Sequence, residues 1–289
     1  MIRLGSIAFI NSLPVDLGLR SGAVPCPAEL VRGTPAELNR ALLNKELEVS
    51  PVSALWYAEH QRDLLLLSDL SISSESGVES VLLFSKYPLT ELKGKKIAVT
   101  GKGRTTPALL EIICQLRYGF KPFIERHSEV AVDWPEGFDA LLLIGDEALI
   151  TKERLKNSDI KIVDLAQEWR GWTGLPIVFA VWAVRREIFS IRMEEVLRVR
   201  EVLKASKRWG FSHRDDVLAA AEAESKLPKA VLKSYFSRLS YDFGERLKEG
   251  MRLYLDFASK CGIIGPAGEF QEISDLRGLL VETDSGRVI

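Results

Sequence analysis

Apolar residues fall in short runs between polar turns along the first two thirds of the chain, and at helical spacing along the last third. IRLGSIAFI opens as a strand and breaks at Asn11-Ser12-Leu13-Pro14, where two hydrogen-bonding side chains and an imide predict a turn with proline at the first position of a helix. Thr34-Pro35-Ala36-Glu37 has the form of a capping box heading a helix through LNRALLNK, and LEVSPVS predicts a short strand before a helix at ALWYAEH. LLLLSDL, VESVLLFS, KKIAVT, FDALLLIG, IKIVDL and LPIVFAVWAV predict buried strands. Thr105-Thr106-Pro107 starts a helix, ALLEIICQLRY, that stops at Gly119, and Asp146 opens another after FDALLLIG. Strand and helix alternate up to about residue 185, which predicts α/β layers with mostly parallel sheets.

Residues 187 to 260 read instead as consecutive amphipathic helices, a cover for one α/β lobe. Ser212 and Asp215 suit the N-cap and first turn of one of them, and FGERLKEGMRLYLDFASK has the apolar spacing of another. TDSGRVI carries no pattern and is assigned no element. No solenoid period is present.

Length and charge narrow the classes of function. At 289 residues the prior is roughly two domains, and 46% hydrophobic with 27% charged residues is ordinary globular composition. A formal net charge of -1 gives no field to hold nucleic acid, so an anionic ligand must be bound by local groups. Cys26, Cys114 and Cys261 are odd in number and far apart, which fits buried thiols in a reducing compartment better than disulfides or a zinc site. No metal or other cofactor is expected. The absence of a signal-like opening, and of any apolar run of about 18 residues, leads to the expectation of a cytoplasmic protein without a membrane partner, as monomer or homodimer.

Candidate chemistry lies at strand ends, where each feature also has a plain structural reading. Gly101-Lys102-Gly103-Arg104-Thr105-Thr106 lacks the third glycine of a dinucleotide fingerprint and the terminal Gly-Lys-Ser/Thr of a phosphate loop. What survives is a helix N-terminus with hydroxyls and free N–H groups, suited to a carboxylate, beside simple capping by Thr106. Ser50-Pro51-Val52-Ser53 repeats the theme. Ser71, Ser73, Ser74, Ser76 and Ser80 precede or enter a strand, where most serines form turns. Asp146 fits a cap, and Trp172-Thr173-Gly174-Leu175-Pro176 fits a tight connection. His60, His127 and His213 stand apart from any nucleophile, so a hydrolase triad lacks support. Read from residues alone, the chain is a two-lobed α/β protein with Asn, Ser and Thr around a cleft for a small polar or anionic ligand.

SIAFINSLPVD, LEVSPVSALWYA, ESVLLFSK, IGDEAL and WTGLPIVFAVW, in this order, give the chain a further likeness. From about residue 3 to residue 280 it resembles the chorismate dehydratases of the futalosine route to menaquinone, the MqnA family. The resemblance implies the type II periplasmic-binding-protein-like fold: two α/β lobes, two crossover strands, a ligand cleft and C-terminal helices packed on the first lobe. It divides the chain into lobe 1 at 1–84 and 186–282, lobe 2 at 85–185, and a tail at 283–289. It also implies loss of water from chorismate to give 3-enolpyruvylbenzoate. Asn11 would donate to the leaving hydroxyl or a carboxylate, with Ser80 facing it, and Gly103, Thr105 and Thr106 would hold a carboxylate. Ser12, Ser53, Asp146 and Gly174, in the matching segments, would complete the substrate site. The family often has a basic residue before the serine; this chain has Glu79, leaving Arg104 as the counter-charge. The sister enzyme, 1,4-dihydroxy-6-naphthoate synthase, and non-catalytic solute-binding proteins share the fold. Against the sister stand NSLP in place of an Asn-Asp motif and the lack of a cleft histidine; against a binding protein stands the lack of an export signal.

Overall fold

The computed structural model describes residues 1–100, 103–127 and 134–273. Strands β1 (Ile2–Ile7), β2 (Ala28–Gly33), β3 (Val49–Ser53) and β4 (Leu64–Ser74) come first, with helices α1 (Leu13–Arg20), α2 (Pro35–Leu43) and α3 (Ala54–His60) between them. β5 (Val81–Ser85), β6 (Lys96–Thr100), β7 (Phe123–His127), β8 (Ala140–Ile144) and β9 (Lys161–Asp164) follow. They carry α4 (Thr105–Ile112), α5 (Asp146–Leu155) and α6 (Leu165–Thr173), and then β10 (Ile177–Arg185). The remainder is helical: α7 (Arg186–Ser212), α8 (Arg214–Ser225), α9 (Lys229–Ser237) and α10 (Glu245–Lys260).

These strands build two five-stranded sheets, ordered β2-β1-β3-β10-β4 and β7-β6-β8-β5-β9. In each, the first three strands pair in parallel and the fourth pairs antiparallel with both its neighbours. The expectation of mostly parallel sheets therefore holds for strand direction but not for pairing. The reason is an exchange: β5 leaves the first sheet to become the reversed strand of the second, and β10 returns to become the reversed strand of the first. The boundaries expected at 84/85 and 185/186 need correction accordingly, because Val81–Ser85 pairs with β8 and β9 while Ile177–Arg185 pairs with β3 and β4. The expected tail lies outside the described residues.

Local sequence explains most elements. Thr34 accepts from the Glu37 amide while the Glu37 carboxylate accepts from the Thr34 amide, a complete capping box. β8 and β5 are buried along almost their whole length, as their unbroken apolar runs require. Two edge strands, β2 and β7, are exposed or half-buried at every position but Ala28, and were not anticipated. α8 starts at Arg214 after His213, one residue later than the Ser212 cap predicts.

The helical cover grips the site region closely. A Cβ at Gly210 of α7 would lie 2.2 Å from the Pro14 carbonyl oxygen, so only glycine allows α7 to press on the first turn of α1. Ser71, Ser73 and Ser74 are buried in β4, not in turns, and their hydroxyls donate to the carbonyls of Asp242, Ser240 and Arg238 respectively. α10 reaches both sheets' helices, since the Tyr254 hydroxyl donates to the Thr105 carbonyl at 3.0 Å. Among the described residues no helix is long and apolar enough to cross a membrane.

Candidate active site

A cavity of about 110 Å³ lies where the strand ends of the two sheets meet the crossovers, lined by Asn11, Ser53, Ser80, Gly103, Arg104, Thr105 and Thr106. Phe9, Phe179, Ile72 and Leu239 give it apolar walls, and none of the three histidines lines it.

On the first sheet's side, β1 ends at Ile7 and a 3-10 turn, Ile10–Ser12, leads into α1 with proline in its first turn. Ser12 is buried and its hydroxyl donates to the carbonyls of Ile7 at 2.8 Å and Phe9 at 2.9 Å. It pins the turn and is not among the residues that line the cavity. Asn11 is the residue this turn presents. Its carbonyl accepts from the Tyr241 hydroxyl at 2.8 Å, and its side-chain oxygen is buried with no hydrogen-bond partner. A buried amide oxygen without a partner is costly, and a hydroxyl donor on a ligand in the cavity would satisfy it. Beneath the turn lies Asp16, buried and bonded by the Ser6 hydroxyl at 2.7 Å; burial pushes its carboxyl up from 3.8 to about 6. Ser53 borders the cavity while its hydroxyl caps α3 by accepting from the Trp56 amide at 3.4 Å.

The second sheet supplies helix N-termini of a different kind. α4 begins at Thr105 with Arg104 as N-cap and no side-chain cap, so capping by Thr106 is not what the structure shows. Thr105 and Thr106 are buried; the Thr105 hydroxyl accepts from the Leu55 amide at 3.4 Å, a link between α4 and α3. Arg104 is not an uncommitted counter-charge: both ends of its guanidinium meet the Glu59 carboxylate at 2.8 Å. Gly101 and Lys102 lie outside the described residues. α5 begins at Asp146 behind Gly145, whose φ of 63 requires glycine and which itself lines the cavity. Asp146 is not among the lining residues. Burial, relieved in part by a hydrogen bond from the Ile10 backbone, pushes its carboxyl from 3.8 to about 6, and one of its oxygens has no partner.

The crossovers divide. Ser80, buried, stands at the entry to β5; its carbonyl accepts from the Gly145 amide at 2.8 Å. Gly174, on the return crossover, does not line the cavity: it ends α6 at a left-handed φ of 72, and its carbonyl accepts from Arg246 at 2.8 Å and from Arg170. In this structure it serves as the helix C-cap.

Two tyrosines were missed. Tyr235 of α9 is fully buried beside Ser80, and burial pushes its phenol well above the usual range, offset only in part by the Ser80 hydroxyl. Tyr241 holds the Asn11 carbonyl. Both lie in the helical third, where apolar spacing registers them as core.

The sheet order, the exchanged strands and the cavity at the strand ends define a two-lobed α/β protein of the periplasmic-binding-protein type. Solved structures agree: a protein of Archaeoglobus fulgidus has a TM-score of 0.72 at 23% identity, over 91% of this chain and 98% of that one. The alkanesulfonate-binding protein SsuA of Xanthomonas axonopodis has a TM-score of 0.68 at 16% identity, over 92% and 94%. The model of a family described as "Menaquinone biosynthesis" matches residues 2–260, and this chain belongs to that family. A chorismate dehydratase of Thermus thermophilus is 35% identical over 228 residues, covering 71% of this chain and 81% of the relative. A 1,4-dihydroxy-6-naphtoate synthase of the same organism is 26% identical over 275 residues, covering 92% and 97%.

Proposed function

We propose that this protein is a carbon–oxygen lyase that removes water from chorismate to give 3-enolpyruvylbenzoate. What carries the reading is the meeting, in one cavity of a chain from the menaquinone family, of an asparagine whose buried amide oxygen has no partner, a buried serine and an uncapped helix N-terminus. In the reaction the hydrogen on the ether-bearing carbon and the neighbouring hydroxyl depart and the ring becomes aromatic. Aromatisation drives the step, so the protein's task is to hold both carboxylates and orient the breaking bonds.

Each cavity group has a role in that task. The first turn of α4 offers backbone N–H groups and the Thr106 hydroxyl to one carboxylate, helped by the helix dipole. Asn11 donates its amide N–H to the departing hydroxyl or the second carboxylate. Ser80 faces the same space from the crossover. Glu79 does not oppose a dianion with a free charge, because its carboxylate meets Lys152 at 3.0 Å and Arg238 at 3.1 Å. The reading needs no metal or organic cofactor, and places the enzyme in the cytoplasm as monomer or homodimer.

Mass spectrometry of chorismate incubated with the purified protein tests the proposal: an aromatic product lighter by one water is expected. Unchanged chorismate with turnover of cyclic dehypoxanthinyl futalosine would assign the chain to the naphthoate synthase branch, and tight binding without turnover would make it a solute-binding protein.

A further inference from the structure

Glu79, immediately before Ser80, occupies the left-handed region at φ 62, a conformation a residue with a Cβ adopts only when its surroundings impose it. The imposing group is Asp164. One of its oxygens accepts from the amides of both Val78 and Glu79 at 2.7 Å, while the other caps α6 through the amides of Ala166 at 3.0 Å and Gln167 at 3.3 Å. The approach is so close that a Cβ on Gly77 would lie 2.9 Å from the Asp164 carboxylate. On the other side, the Glu79 carboxylate is held between Lys152 of α5 and Arg238 at the end of α9. The Ser80 carbonyl is fixed by Gly145. The segment between the two sheets is thus clamped from both ends at the residue that sets the direction of Ser80.

We propose that Asp164 is a positioning residue for the reaction: by binding the Val78 and Glu79 amides it holds residue 79 left-handed and so aims the Ser80 side chain into the cavity. The inference rests on Ser80 facing substrate in a chorismate dehydratase. If residue 79 ran through the ordinary extended region, the chain direction at Ser80 would turn and its hydroxyl would leave the cavity wall.

The test compares D164N, E79G and the D164N/E79G double variant, with Tm followed in each. Asparagine keeps an oxygen for the cap of α6 but puts an amide N–H₂ against two donors. A displaced reacting group costs on the order of 10²-fold, so D164N should lower kcat by about that factor with KM changed by less than about threefold. Glycine adopts positive φ without help, so the double variant should recover kcat towards the ceiling set by E79G alone. An unchanged kcat in D164N, or a double variant no faster than D164N, overturns the proposal. Wild-type protein that leaves chorismate intact overturns the dehydratase reading instead. The clamp is then judged by deuterium uptake in peptides spanning 75–81: faster uptake in D164N supports it, and uptake equal to wild type overturns it.

Discussion

The two sheets share strand order and strand direction, so β1 corresponds to β6 and β3 to β8, yet their tips differ in how they treat hydrogen-bonding groups. In the first sheet two of the three tip helices are capped by side chains, α3 by Ser53 and α2 by the Thr34–Glu37 box, while α1 has none and Ser12 instead bonds two carbonyls of its own turn. Asn11 alone among these tip residues is left with a buried amide oxygen unpaired. In the second sheet, α4 and α5 both start without a side-chain cap, behind Arg104 and Gly145. One lobe offers a single directed side chain, and the other offers open backbone. That division suits a ligand with one reacting carbon–oxygen bond and carboxylates that only need anchoring.

Breaking the directed side has the largest expected effect. N11A should fold normally and lose about 10²–10³-fold in kcat and kcat/KM together, as for a donor used mainly in the transition state. A near-wild-type kcat with a lowered Tm would reduce the Asn11 turn to a structural one.

Two carboxyls near strand tips, buried Asp16 after β1 and half-buried Asp146 after β8, are both raised to about 6 by burial. A raised carboxyl means the native state keeps its proton where the unfolded chain has lost it. Stability therefore falls as pH rises from about 4 to about 6 and is fully reduced above that window. For enclosed Asp16 the effect has an upper bound of about 3 kcal/mol. The Tm difference between wild type and D16N should accordingly shift in favour of wild type as pH falls from 7 to 4; a difference independent of pH would refute the assignment. Asp146, beside the cavity, should instead alter the pH dependence of chorismate binding when changed to asparagine.

The anchoring side should lose affinity without losing rate. T106V should cost about 1.5–3 kcal/mol of chorismate binding measured calorimetrically. T105V sharpens the contrast, because its hydroxyl also accepts from Leu55, and it should lower Tm as well. The smallest effect is expected at Ser53: S53A should cost about 1 kcal/mol of stability through the lost cap, with little change in affinity.

The candidate site was legible where chemistry and local structure coincide. Asn11, Ser53, Ser80 and Gly103 to Thr106 sit at strand–helix junctions marked by hydroxyls, glycine or proline, and the cavity gathers all of them. Ser12 and Gly174 belong to the same marked segments, and sequence cannot separate a residue that supports a turn from the one the turn presents. Asp164 gave no signal beyond the end of IKIVDL, since its partners Val78 and Glu79 are remote in sequence. β2 and β7 escaped because edge strands facing solvent lose the apolar run that marked their neighbours. The burial of Ser71, Ser73 and Ser74 depended on carbonyls in the 238–242 segment, a pairing no local pattern encodes.

The exchanged strands also set an order of events during synthesis. Residues 81–164 contain every strand of the second sheet, so that sheet can close as soon as they emerge from the ribosome. The first sheet cannot: β4 has no partner within it until β10 has been made, and until then the buried run Leu64 to Leu67 has no strand beside it. A nascent chain stopped at residue 176 would hold a finished second sheet, a three-stranded fragment β2-β1-β3 and a solitary apolar β4. The interval between β4 and β10 is when this protein most needs a chaperone or rapid elongation.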